Sequence, residues 1–166
     1  MTEHFSLAEL VASEYALRHD LDNTPDTEAM GNLETLAEGL ERARKAIGDR
    51  PMIVTSGYRC PKVNSAIGGA KGSYHQKGLA ADFHVPGMTP YEICLILEDR
   101  KAYVGYDKII LEFGRWTHIQ FPEGEAEPRG QEYTIRSKAE GYLKGILEVY
   151  WTSRGLAQLQ TWLRRL

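Results

Sequence analysis

His75 and Asp82, with six residues between them, and His118 further along are the residues that most constrain this fold. They stand in Ser73-Tyr74-His75-Gln76-Lys77-Gly78-Leu79-Ala80-Ala81-Asp82 and in Trp116-Thr117-His118-Ile119-Gln120-Phe121. Two imidazoles and one carboxylate are a common catalytic zinc set, with one coordination position left for water. Such a set works only if residue 118 returns to lie beside residues 75–82. The chemistry it points to is metal-assisted hydrolysis.

A chain of 166 residues suits one domain with enough length to bury a core. Net charge is −3 and the pI is about 6.0, which argues against a nucleic-acid binder. The charge is uneven: residues 136–166 carry six basic and two acidic side chains, so that segment is +4 and the remainder −7. Cys60 and Cys94 are too few for a disulfide framework and lack zinc-site spacing, so both are expected as free thiols. Met1-Thr2-Glu3-His4-Phe5 shows neither a basic n-region nor an apolar h-region, and no apolar run is long enough to span a membrane. The expectation is a protein made in the cytoplasm, with any substrate outside reached by release through another agent.

Ser6-Leu7-Ala8-Glu9 is a capping box, opening a first short helix with Leu10, Val11, Ala16 and Leu17 on its apolar face. Asp22-Asn23-Thr24-Pro25-Asp26 is a loop of turn formers. Leu33, Leu36, Ala37, Leu40, Ala43 and Ile47 follow helical spacing over about residues 27–47, and Gly48 ends that helix. Met52 to Thr55 reads as a buried strand, and Pro61 starts a short helix to Ile67. Leu79 to Val85 is a second strand, in which Gly78, Ala80 and Ala81 are expected to leave the backbone uncrowded near the ion. Thr89-Pro90 caps a helix to about Asp99. Two strands follow, Val104 to Glu112 and Arg115 to Phe121, turning near Gly114. Residues 122–135 read as a polar loop, and residues 136–166 as a basic amphipathic helical tail with a break at Gly155. Helices followed by strands mixed with short helices, and an antiparallel hairpin, make this an α+β domain: a small antiparallel sheet carrying the metal site, flanked by helices, over residues 1–121.

Ser56-Gly57-Tyr58-Arg59, the Ser73-to-Asp82 run and Trp116-Thr117-His118 together resemble the zinc peptidases of the D-alanyl-D-alanine carboxypeptidase and L-alanyl-D-glutamate endopeptidase group, relatives of lysostaphin-type peptidases and hedgehog-type domains. Phe5-Ser6-Leu7-Ala8-Glu9-Leu10 and Asp22-Asn23-Thr24-Pro25 resemble its phage and prophage branch, and the resemblance covers residues 4–121. It implies a hedgehog/D-Ala-D-Ala-peptidase-like fold, one Zn2+ ion, and cleavage of peptide bonds in bacterial peptidoglycan. His75, Asp82 and His118 match the zinc ligands. Arg59 matches the arginine that binds substrate or stabilises a developing oxyanion, and Ser73 a serine that positions substrate. Read without the family, Arg59 is a guanidinium after a strand end, suited to a carboxylate, an oxyanion or a structural salt bridge. Ser73 is equally a turn or cap hydroxyl.

The general base departs from the pattern. Members of the group place a Glu three residues before the last His, or a His two before it; here those positions are Arg115 and Trp116. Glu112 is the nearest candidate, and it depends on the hairpin register. A three-residue turn, Phe113-Gly114-Arg115, sets Glu112 opposite Trp116 and Ile110 opposite His118, with Glu112 on the His118 face about 7 Å along. A two-residue turn would flip Glu112 away. The expectation is the first register, with Glu112 as base. His84 shares a strand face with Asp82, Trp116 is expected to pack beneath the site, and Tyr106 and Asp107 are expected to be structural.

The tail places Leu143, Ile146, Leu147, Tyr150 and Trp151 on one helical face, continued by Leu156, Leu159, Leu163 and Leu166. The expectation is docking on its own domain or a second copy, with attachment to an anionic envelope as the alternative. The functional expectation is a zinc metallopeptidase acting on peptidoglycan peptides, a phage or prophage endolysin or a virion-associated enzyme, and a monomer with a dimer as alternative. Two rivals stand beside it: a cytoplasmic D-Ala-D-Ala dipeptidase, and a metal-bound binding module without catalysis.

Overall fold

The computed structural model describes residues 1–151 and 157–158. Capping chemistry sets the helices. Ser6 Oγ accepts from Glu9 N and starts α1 (Leu7–Val11). Ser13 Oγ accepts from Ala16 N and starts α2 (Glu14–Arg18). The single first helix expected from sequence is therefore two, because Ala12 is extended and Ser13 offers a fresh cap; Leu17 is 84% exposed rather than apolar face. Asp26 accepts from Ala29 N and opens α3 (Thr27–Ala46), whose Leu33, Leu36, Ala37, Leu40 and Ala43 are wholly buried. After β1 (Ile53–Ser56), Pro61 at the first turn opens α4 (Pro61–Ala66). A 3₁₀ turn (Tyr74–Lys77) then leads into β2 (Ala80–His84). Thr89 and Glu92 form a reciprocal capping box at α5 (Pro90–Asp99).

Residues expected to begin a strand at Val104 instead form α6 (Lys101–Val104), closed by Gly105 at φ 67°, and β3 runs Lys108–Glu112. The hairpin continues into β4 (Trp116–Gln120). The polar loop expected through residue 135 ends earlier, since Gln131–Ile135 is β5. The segment Gln131-Glu132-Tyr133-Thr134-Ile135 holds an aromatic and two β-branched residues, a strand signal masked by its polar neighbours. Arg129 paired with Asp107 and the bond from Gln131 N to Asp107 O dock it at the sheet. The helical tail is likewise corrected where it is described: residues 136–149 are turns and a short strand, β6 (Leu143–Lys144), and two-residue strands β7 (Tyr150–Trp151) and β8 (Ala157–Gln158) pair with each other. Leu156, Leu159, Leu163 and Leu166 lie outside the described residues.

The main sheet has order β1-β2-β4-β3-β5-β6, antiparallel except for the β3–β5 pair. Strand alternation divides its faces. Ala81, Phe83, Ile109, Leu111, Thr117 and Ile119 are fully buried, and the hydrophobic ones join the α3 leucines in one core. Ala80, Asp82, Ile110, Glu112, Trp116 and His118 therefore project from the opposite face. Helix and sheet meet closely where Gly39 lies on Phe121, since a Cβ there would overlap the ring. Among the described residues, no helix is long and apolar enough to cross a membrane. Both cysteines are buried free thiols.

Candidate metal centre

Antiparallel register places Asp82 of β2 directly opposite His118 of β4, and His118 opposite Ile110 of β3. Ser73 Oγ accepts from His75 N at 3.4 Å and caps the 3₁₀ turn that brings His75 over the sheet. Gly78 ends that turn at φ 72°, and a Cβ there would press on the Ala29 carbonyl of α3. Its role is thus to let the turn close against α3 rather than to clear space near an ion, and Ala81 faces the core.

Three ligand-type atoms converge. His118 Nδ1 lies 2.8 Å from Asp82 Oδ1. His75 Nε2 lies 3.2 Å from His118 Nδ1 and 3.3 Å from Asp82 Oδ1. All three side chains are buried. His75 Nδ1 is 2.7 Å from the Gly57 carbonyl oxygen, which only accepts, so Nδ1 carries the proton and Nε2 presents a lone pair to the cluster. A second imidazole nitrogen and a carboxylate oxygen turned to the same point leave a place suited to a cation. A tetrahedral ion with bonds of about 2.0–2.1 Å has ligand–ligand edges of about 3.3 Å, the size of this triangle. The donor set and its spacing therefore fit zinc.

The local field agrees. Burial alone would raise the Asp82 pKa, but the His75 and His118 imidazoles outweigh it and hold the carboxyl well below the usual aspartate range. Burial pushes the His75 pKa down, favouring the neutral imidazole that a metal needs.

Glu112 faces Trp116 across the hairpin, which is the three-residue-turn register. Phe113 and Gly114 take positive φ of 54° and 63°, and Arg115 N donates to Glu112 O. Glu112 consequently shares the His118 face and lines the same cleft as Arg59, His75, Asp82 and His118, a space of about 530 Å³. Burial raises its pKa; His118 and Arg59 pull it down, and Asp82 adds to the rise. Trp116 forms part of the cleft wall, with a buried indole N–H that lacks a hydrogen-bond partner of ordinary geometry.

Arg59 Nη2 stands 3.9 Å from Asp82 Oδ2, and Arg59 Nε is buried without a partner. Burial pulls the guanidinium pKa down, opposed by Asp82 and Glu112. Its backbone is clamped: Arg59 N donates to His75 O at 3.1 Å. Asn23 brackets it, with Nδ2 donating to Tyr58 O at 3.2 Å and to Val11 O at 2.9 Å, and Oδ1 accepting from Cys60 N at 2.8 Å. Asn23 has the sequence signature of a turn former, and a polar residue thirty-six positions from Arg59 gives no local signal of this contact. His84 does not line the cleft, whereas Lys108, Lys138 and Tyr142 do. Lys138 and Tyr142 were hidden by the helical reading of the tail.

A family model described as Peptidase M15 matches residues 3–120. The zinc D-Ala-D-Ala carboxypeptidase of Streptomyces albus G is 46% identical over 71 residues, which is 43% of this chain and 26% of that protein. The match thus spans about a quarter of the relative's length.

Proposed function

Since the chain belongs to the peptidase M15 family, we propose that it is a zinc-dependent peptidase that hydrolyses a peptide bond in cell-wall stem peptides, of the D-Ala-D-Ala carboxypeptidase kind. The observation that carries this reading is the convergence of His75 Nε2, Asp82 Oδ1 and His118 Nδ1 on a cleft face that also holds Glu112 and Arg59. The name and local identity of the Streptomyces albus G enzyme support the choice of ion and substrate.

His75, Asp82 and His118 would hold the ion. When bound, zinc supplies Lewis acidity, polarising a scissile carbonyl and easing deprotonation of water. Glu112 takes the proton of the attacking water and passes it to the leaving amine; burial makes its carboxylate the more basic. Arg59, rigid and with an unpartnered Nε, pairs with the substrate carboxylate beside the reacting group. Ser73 positions the His75 turn and lines the cleft.

As biological setting we propose a phage or prophage lysis enzyme acting on the wall after release from the cytoplasm. This is supported by the resemblance of Phe5–Leu10 and Asp22–Pro25 to that branch. The basic surplus of residues 136–166 supports contact with an anionic envelope.

Mass spectrometry of purified peptidoglycan digested by zinc-loaded protein tests the reading. New peptide fragments, lost on chelation, support it and name the bond. Hydrolysis of free D-Ala-D-Ala with the wall untouched would replace it with a dipeptidase. Stoichiometric zinc without hydrolysis of either would replace it with a binding module.

A further inference from the structure

Lys108 is a half-buried cation in the cleft wall that feels the neighbouring Asp107 carboxylate but makes no ion pair within 4 Å among the described residues. Its ammonium lies 5.7 Å from the Tyr133 ring centroid and 5.8 Å from that of Tyr142. Two rings therefore hold it without neutralising it. Burial and the nearby Arg129 charge lower its pKa, only partly offset by Asp107.

Its place in the sheet gives this charge a direction. Lys108 pairs with Gln120 of β4 and Gln131 of β5, one same-face position from the Ile110–His118 pair. That puts its Cα about 8 Å from that of His118, one strand across and one repeat along. Arg59 approaches Asp82 from the β1 side, whereas Lys108 stands on the β3 side, so the two cations flank the ligand cluster. Lys138, reaching to the Gly68 loop, adds a third cation to a cleft whose acidic wall residues are Asp82 and Glu112. Within a chain of net charge −3, this is a local cationic groove.

We propose that Lys108, held by Tyr133 and Tyr142, is a specificity-determining residue that binds a second carboxylate of the peptide, on the far side of the scissile bond from the one Arg59 holds. The substrate class is a peptide with an acidic side chain a residue or two before the cleaved bond. Tyr142 lies beyond the family match at residues 3–120, so this wall is supplied by the chain's own continuation. The inference rests on the peptidase reading above.

The test compares acyl-L-Glu-D-Ala-D-Ala with acyl-L-Gln-D-Ala-D-Ala on zinc-loaded wild type, Lys108→Gln and Lys108→Arg. Peptide affinity is measured separately by calorimetry in a Glu112→Gln background. Wild type is expected to favour the Glu peptide about tenfold in kcat/KM, the scale of one partly exposed charge-assisted contact. Lys108→Gln is expected to bring the two peptides' kcat/KM values together, chiefly by raising KM and weakening calorimetric affinity for the Glu peptide; Lys108→Arg keeps the preference. An unchanged preference in an active Lys108→Gln protein overturns the role of Lys108 and leaves the peptidase intact. Failure of wild type to cleave either peptide overturns the carboxypeptidase reading and this inference with it.

Discussion

Three nitrogen and oxygen atoms within 3.3 Å of one another, in a buried pocket, set the chemistry at the scale of single residues. Asp82→Asn removes the only carboxylate among them, so zinc stoichiometry measured by native mass spectrometry should fall from about one to near zero while the protein still folds. Glu112 makes none of those contacts, so Glu112→Gln should keep zinc and lose about 10²–10⁴-fold in kcat. The sign of its pH dependence follows from burial. A carboxyl with a raised pKa stays protonated to a higher pH than an ordinary glutamate, and a protonated Glu112 is no base. With Glu112 as the proposed base, activity should be lost as pH falls through its pKa, and Glu112→Gln should lack that acid limb. The same shift makes the ionised form a cost to folding above that pH. Metal-free Glu112→Gln should thus melt no lower than wild type at neutral pH, and a lower midpoint would show that Glu112 is a structural anion instead.

At the scale of elements, alternation within β2, β3 and β4 sends one side chain to the core and the next to the cleft, so register decides whether a site exists. Sequence alone left two registers for the hairpin. The positive φ at Phe113 and Gly114 permits the three-residue turn that selects the productive one. The helix layer is held at the sheet by contact at Gly39, whose missing side chain admits Phe121. Gly39→Val should destabilise by about 1–3 kcal/mol, read as a lower denaturation midpoint with unchanged m-value, because a Cβ branch overpacks a closed interface. Asn23→Ala tests the bracket around Arg59. It strands three backbone groups, and should raise KM while sparing zinc content, because Arg59 loses its fixed turn. An unchanged KM would show that the His75 contact alone positions Arg59.

For the whole molecule, metal and fold are linked, because the three ligands come from a turn and two strands that an unfolded chain does not bring together. Zinc at a hundredfold excess over Kd should stabilise by about 2.7 kcal/mol and raise the midpoint by about 5–10 °C, reversed by chelation. The sheet does not end where the family match ends. β5 lies parallel to β3 over five pairs, Thr134 is fully buried, and Ile146 and Val149 pack against the core. A chain cut after Phe121 exposes the β3 edge and should lose its cooperative thermal transition; retention of full stability would mark residues 122–166 as an appendage.

What the amino-acid sequence determined by itself was whatever short-range chemistry encodes. The α3 stripe, the Thr89–Glu92 capping box and the His75–Asp82 spacing each lie within a few turns or one strand, so residue type and periodicity suffice to read them. The same holds for the ligand types, which point to a metal centre before any fold is known. The tertiary structure alone decided the rest. Asn23 finds Arg59 across thirty-six positions, β5 pairs with β3 across the connection from β4, and Lys138 and Tyr142 wall the cleft. These contacts are long-range, and a polar segment such as residues 122–142 becomes strand or wall only when a partner edge satisfies its backbone hydrogen bonds. Local pattern carries no information about that partner, which is why residues 136–149 read as a helix and folded as turns and a short strand.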